Sequence, residues 1–304
     1  MQQNEMDALL RACRLCPRSC AANRLAGEKG VCGCDSNLQI ARAALHMWEE
    51  PCISGEEGSG TVFFAGCALG CVFCQNRKIA RARAGRIVSR ERLVEIFFAL
   101  QQQGANNINL VTAGHYIPQV ALALQEARAA GLCIPVVYNS GGYELPESLK
   151  LLDGLVDIYL PDLKYASPAL SQRYAHAEDY FPRACAALEE MFRQAGEPVF
   201  DERGILQRGM VVRHLALPGQ GEDSKAILRY LWETYGDRIY ISLMSQYTPL
   251  PHCRDFPELQ RKLSDAEYEE LIDYAVGLGI ENGFIQEGDA AEESFIPAFD
   301  CSGV

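Results

Sequence analysis

The sequence predicts an α/β fold, a partial (β/α)6 barrel preceded by a small, irregular metal-binding extension. Three observations predict it. Six short β-rich runs recur between residues 61 and 243, helical segments separate them, and cysteines crowd the chain before residue 75. The runs are 61–65 (TVFFA), 107–112 (NINLVT), 134–138 (IPVVY), 156–160 (VDIYL), 210–217 (MVVRHLAL) and 239–243 (IYISL). They read as continuous rather than alternating, which suits parallel strands covered on both faces.

The intervening helices carry their own start and stop signals. Ser89 can cap a helix whose Leu93, Ile96, Phe97 and Leu100 share one face, and Gly104 ends it. Pro118 suits the first turn of the next, which stops at Gly131. Helical pieces are expected around 168–174 and 182–195, and Asp223 or Ser224 opens another. Ser264 and Glu267 form a capping box, with Leu263 placed to staple against Tyr268. Six strand–helix units joined by right-handed crossovers make a parallel sheet, short of the eight that close a full barrel. An open side is expected. The boundaries read from the pattern are 1–59 for a cysteine-rich head and linker, the linker being 55–60 (GEEGSG), and 60–304 for the barrel with its C-terminal helix and tail.

Composition removes several function classes. The net charge of −12 and the lack of a basic stripe argue against nucleic acid as a partner. No apolar run approaches the roughly 18 residues of a membrane helix, so no membrane partner is expected. The N-terminus lacks the basic start and apolar core of a secretory signal, which points to the cytoplasm. Thirteen cysteines in a reducing compartment suggest metal or redox chemistry rather than disulfides.

The densest cluster is 66–76 (GCALGCVFCQN), with the spacing Cys67-x3-Cys71-x2-Cys74 directly after the first predicted strand. Loops at the carboxyl ends of barrel strands are where such folds hold their chemistry. Three thiolates can hold three irons of a [4Fe–4S] cluster and leave the fourth iron open to a reacting cofactor. A zinc site of three thiols completed by a distant residue is the competing reading. In the head, Cys13, Cys16, Cys20 and Cys32 have the spacing of a closed site, an auxiliary iron–sulfur cluster or a structural zinc, with Cys34 as a rival fourth ligand. Cys133 and Cys185 are expected to be small buried hydrophobes. Cys301, in the tail, would matter if that tail folded over the barrel mouth.

The motif C-x3-C-x-Φ-C, with Phe73 at the aromatic place, resembles the signature of the radical S-adenosylmethionine (radical SAM) superfamily. Segment 71–76 (CVFCQN) and the phrases EEPCISG, GSGTVFFAGC, NINLVTAGHY, PVVYNSGGYE, DIYLPDLKY, VVRHLALPG and LMSQYTPL extend that resemblance. They look like the activating enzymes of glycyl radical enzymes, especially the pyruvate formate-lyase activating enzyme-like subgroup with a cysteine-rich head. The resemblance implies a radical SAM partial barrel and a cluster whose open iron chelates the amino and carboxylate groups of SAM. It implies reductive cleavage of SAM to a 5′-deoxyadenosyl radical that abstracts a hydrogen atom, and a low-potential donor such as flavodoxin or ferredoxin. The substrate implied is a glycyl radical enzyme; modification of a peptide or small molecule is the alternative. A non-enzymatic iron–sulfur electron-transfer protein is the reading from a different class.

Site residues are carried over by position. Thr112, Gly114 and His115 stand where the superfamily has a turn that meets the SAM amino group, though the usual acidic residue is missing. Asn139 and Ser140 follow the third run, and Gln246 follows the sixth. Asp162 and Lys164 match the Asp-x-Lys element, and Arg213 begins R-x4-P-G, with a guanidinium suited to gripping a carboxylate. Lys164 and Arg213 are the expected catalytic pair.

Overall fold

The computed structural model describes residues 2–286 and 297–304. Ten strands make one sheet: β1 (Leu38–His46), β2 (Ser59–Phe64), β3 (Arg86–Val88), β4 (Ile108–Val111), β5 (Val136–Ser140), β6 (Ile158–Pro161), β7 (Val199–Phe200), β8 (Leu206–Leu215), β9 (Tyr240–Met244) and β10 (Gly283–Ile285). Their order is β10-β9-β8-β6-β5-β4-β2-β1-β3, with β7 beside β8. The six expected strands are β2, β4, β5, β6, β8 and β9, and every pairing among them is parallel. β2, β4, β5 and β6 are buried along their whole length, which is why they read as unbroken apolar runs. The fold is α/β with a mostly parallel central sheet, open between its two edges.

The flanks differ from expectation. β10 adds a seventh parallel strand beyond β9. The stretch expected to be irregular contains β1, nine residues antiparallel to β2. β1 alternates buried and half-buried positions over part of its length, so it lacks the continuous apolar signature of its neighbours. The 55–60 stretch leads straight into β2 and is packed: Asn106 donates to the Ser54 carbonyl at 2.7 Å, and Gly55 and Gly60 each lack room for a Cβ.

Helix signals are reproduced at Ser89, whose hydroxyl accepts from the Arg92 N–H, and at the Ser264–Glu267 capping box. Leu263 packs against the apolar cluster that contains Tyr268. The helix expected to open at Asp223 or Ser224 starts earlier, as Gly221–Tyr235. Asp223 is engaged elsewhere, accepting from the backbone N–H of Ser167 at 2.6 Å and of Ala166. Among the lone cysteines, Cys133 is exposed and Cys185 half-buried. Cys133 sits in the turn after the helix Ile117–Ala129, held by Gln101, so it reaches no core. The tail 297–304 docks along β1, Cys301 N–H to Ala41 O at 3.0 Å and Ala43 N–H to Ser302 O at 2.9 Å.

His214 on β8 ties the sheet to the helix Gly221–Tyr235. Its Nδ1 meets the Leu163 carbonyl at 2.8 Å and its Nε2 the Ser224 hydroxyl at 2.9 Å. Burial pushes its pKa down to about 4, more than the Leu163 hydrogen bond restores. The unfolded chain therefore binds a proton first as pH falls, and stability drops between about 6.5 and 4. Urea unfolding should lose about 3 kcal/mol across that window. His214→Gln should flatten the slope; an unchanged slope would refute the assignment.

Candidate active site

The carboxyl ends of β2, β4, β5 and β6 open into a cavity of about 370 Å³. Cys67, Cys71 and Cys74 line it, on the loop that follows β2. Gly66 and Gly70, at φ +96° and +61°, give that loop its turns. Phe73 anchors it: the ring is buried edge-on to Tyr165, Tyr174 and Tyr247, with centroids 6.1 to 6.4 Å away.

Cys71 and Cys74 resist ionisation as they stand. Burial, then repulsion from Cys67 and Cys71, pushes Cys74 up to about 12. Burial likewise raises Cys71, against the pull of Lys164. A cationic iron core is what would offset three crowded thiolates. The buried Tyr165 hydroxyl lies against the Cys71 thiol. No three of the described His, Cys, Asp and Glu side chains close on one point as the ligands of a single ion do. The signature thiols line one cavity, and three thiolates suit a four-iron cluster that leaves one iron open.

Opposite the thiols runs a chain of buried charges. Lys164 Nζ reaches Asp162 at 2.5 Å. Arg213 donates from Nε to Asp162 at 2.9 Å, from Nη1 to Glu49 at 3.0 Å and from Nη2 to Asn139 at 2.7 Å. Burial alone would raise the Asp162 carboxyl, but Arg213 and Lys164 outweigh it and hold its pKa below the usual value. Glu49 also accepts from Asn109 at 3.1 Å and Asn139 at 3.3 Å.

Thr112, Asn139, Ser140, Asp162, Lys164, Arg213, Gln246 and Phe73 all line this cavity with the three thiols. Asn139 and Ser140 are the last residues of β5 rather than its turn. Gly114 and His115 lie outside the lining. His115 is buried with Nε2 against the Ala65 carbonyl at 2.7 Å, and a Cβ on Gly114 would meet Glu144 and Tyr138. Arg213 has each of its three nitrogens engaged, so any grip on a carboxylate would exchange one of these partners. Glu49 was not among the expected residues. Its only sequence signal was the phrase EEPCISG, and nothing in that spacing places it beside residue 213.

The radical SAM superfamily domain matches residues 61–231. Over 274 residues the chain is 25% identical to an uncharacterized protein of Methanocaldococcus jannaschii, covering 88% of this chain and 75% of the other. Among solved structures it is similar to Streptococcus suis SuiB bound to the precursor peptide SuiA, with 12% identity and a TM-score of 0.48, over 73% of this chain and 46% of that one. It is also similar to the FeFe-hydrogenase maturase HydG from Carboxydothermus hydrogenoformans, with 15% identity and a TM-score of 0.44, over 76% and 58%. The chain thus spans about half the length of these two structures. Among the described residues no helix is long and apolar enough to cross a membrane.

Proposed function

The chain belongs to the radical SAM superfamily, and on that premise we propose that it is an enzyme that cleaves SAM reductively, in a cytoplasmic setting, to abstract a hydrogen atom from a peptide segment of a partner protein, as in activation of a glycyl radical enzyme. One observation carries the reading: three thiols at the carboxyl end of β2 share a single cavity with Asp162, Lys164 and Arg213. Cys67, Cys71 and Cys74 would hold a [4Fe–4S] cluster. When bound, it supplies the electron that breaks the SAM carbon–sulfur bond and leaves a 5′-deoxyadenosyl radical.

The protein's own side chains bind and orient. Lys164 offers an ammonium for the SAM carboxylate, and Asp162 and Glu49 offer carboxylates for its amino group. Arg213 holds both acids in place. Asn139, Ser140, Thr112 and Gln246 present polar groups to the nucleoside, and Phe73 keeps the signature loop rigid. The apolar walls, Phe63, Val111 and Leu215 among them, keep water from a reactive carbon radical. Trp48 lines the cavity and is 66% exposed, with Met47 beside it 42% exposed. That apolar rim favours a polypeptide over a small polar substrate.

In the head, Cys13, Cys16, Cys20 and Cys32 are proposed to hold a second centre, an iron–sulfur cluster or zinc. A low-potential carrier such as flavodoxin or ferredoxin is the proposed reductant. The test is anaerobic: the reduced, reconstituted protein is mixed with SAM, and the cluster's electron paramagnetic resonance signal and 5′-deoxyadenosine are followed. A shifted signal and nucleoside release are expected. An electron-transfer protein with a fully ligated cluster would show neither.

A further inference from the structure

β3 pairs with β1 at Leu38, Gln39 and Ile40, and beyond that point segment 297–304 takes the place beside β1. Cys301 N–H donates to the Ala41 carbonyl at 3.0 Å, and Ala43 N–H donates to the Ser302 carbonyl at 2.9 Å. Arg42 donates from Nη1 to the Ala298 carbonyl and to the Asp300 carboxylate, each at 3.0 Å. Arg86 donates to the Val304 backbone oxygen at 3.0 Å. The Phe299 ring stands edge-on to Phe63, with centroids 5.4 Å apart. Phe63 and Pro297 both line the cavity that holds Cys67, Cys71 and Cys74. The segment therefore joins the cavity wall to the edge of the sheet.

Three features of this seat select sequence. The Phe63 ring takes an aromatic side chain. Arg42 takes a carboxylate on the next residue, and Ser302 closes a turn on that same carboxylate, from its N–H at 3.0 Å and its hydroxyl at 2.6 Å. Gly303 has φ +75°, and a Cβ there would collide with the Ala43 carbonyl, so the position requires glycine. The hold is modest. The Arg42–Asp300 pair is open to water, its side chains 25% and 53% exposed, and such pairs contribute little. The backbone bonds and the ring contact are ones that another chain of the same pattern can remake.

We propose that this edge of β1 is the docking seat for the partner polypeptide, and that segment 297–304 occupies it until the partner displaces it. The incoming chain is an extended segment with an aromatic residue, an acid directly after it and a glycine three residues beyond the acid. It adds to β1 as an edge strand, its main chain bonding at Ala41 and Ala43. Its aromatic end meets Phe63 at the cavity wall. The exposed Met47 and Trp48 follow directly on the end of β1. All of this rests on the reading that a peptide segment of a partner protein is the substrate.

A fluorescein-labelled peptide of sequence PAFDCSGV, residues 297–304, tests this on the full chain under reductant. It should bind a Phe299→Ala/Asp300→Ala double variant about tenfold or more tightly than the wild type, whose tethered segment competes at an effective concentration near a millimolar. Gly303→Ala in the peptide should weaken binding about tenfold, because its Cβ meets the Ala43 carbonyl. In the wild type, the Cys301 amide should exchange hydrogen about a hundredfold faster than the amides joining β1 to β2, since the segment opens without unfolding the sheet. No binding to the double variant, equal binding to both proteins, or indifference to Gly303→Ala would each overturn the proposal. So would Cys301 exchange as slow as that of the sheet. Should the double variant fail to fold, the wild-type Cys301 exchange rate and its rise with excess peptide decide. Peptide binding is read without SAM, and the response of the cluster signal to SAM without peptide. A protein that binds peptide but ignores SAM refutes the parent chemistry alone; one that answers SAM but binds no peptide refutes the seat alone.

Discussion

Cys74→Ala is expected to reduce 5′-deoxyadenosine formation to background, with the signature site unable to retain its share of about four irons. The residue lines the cavity between Phe73, which anchors the loop, and Gln75. Removing an outer-shell partner of a metal typically costs 10–100-fold, roughly. Removing one of only three protein ligands should cost more, because no described carboxylate or imidazole stands with these thiols to replace it. Stability should change little, since Cys74 is only half-buried and borders the cavity. Iron analysis and nucleoside release on anaerobic protein check this. A variant that retains full iron and turnover would remove Cys74 from the ligand set.

Arg213→Leu is the second large effect, and it falls on stability as well as on activity. The wild-type guanidinium joins Asp162 and Glu49, both largely buried, and bonds Asn139. Deleting one partner of a buried pair typically costs about 3–5 kcal/mol, because the charge left behind has lost water and gained nothing. Asp162 would keep Lys164 at 2.5 Å. Glu49 would keep only the amides of Asn109 and Asn139, and burial already pushes its carboxyl up. Glu49→Gln in the Arg213→Leu background should therefore recover part of the loss, a non-additive cycle diagnostic of direct coupling. Denaturant unfolding at constant slope measures it. A single-variant loss under about 1 kcal/mol would show that the network is solvated and the charges unimportant to the fold.

Much of the architecture was legible because parallel strands buried on both faces leave a one-dimensional mark, a short unbroken apolar run. β2, β4, β5 and β6 carry that mark in full. β1 does not, being antiparallel with half-buried positions, and so its place in the sheet was missed. The signature thiols were legible for a related reason. Their spacing is local, and a loop of eight residues brings them to one place with no help from distant chain. Lys164 and Asp162 were legible as neighbours in sequence. The hold of Asp162 on Arg213 depends on β6 and β8 lying side by side across an insertion of some forty residues, a register no local pattern encodes.

Apolar runs and cysteine spacing by themselves determined the α/β class, the mostly parallel central sheet and the position of the three-cysteine loop, because each is written in local periodicity or local spacing. Tertiary packing alone decided that Glu49 enters the cavity, that His115 turns away to Ala65, and that Arg24 is buried against the His115 carbonyl with no acid among the described residues to meet it. These are contacts between residues tens to more than a hundred positions apart. Their energies depend on burial and on which charges the fold brings together, and neither quantity exists until the chain has closed on itself.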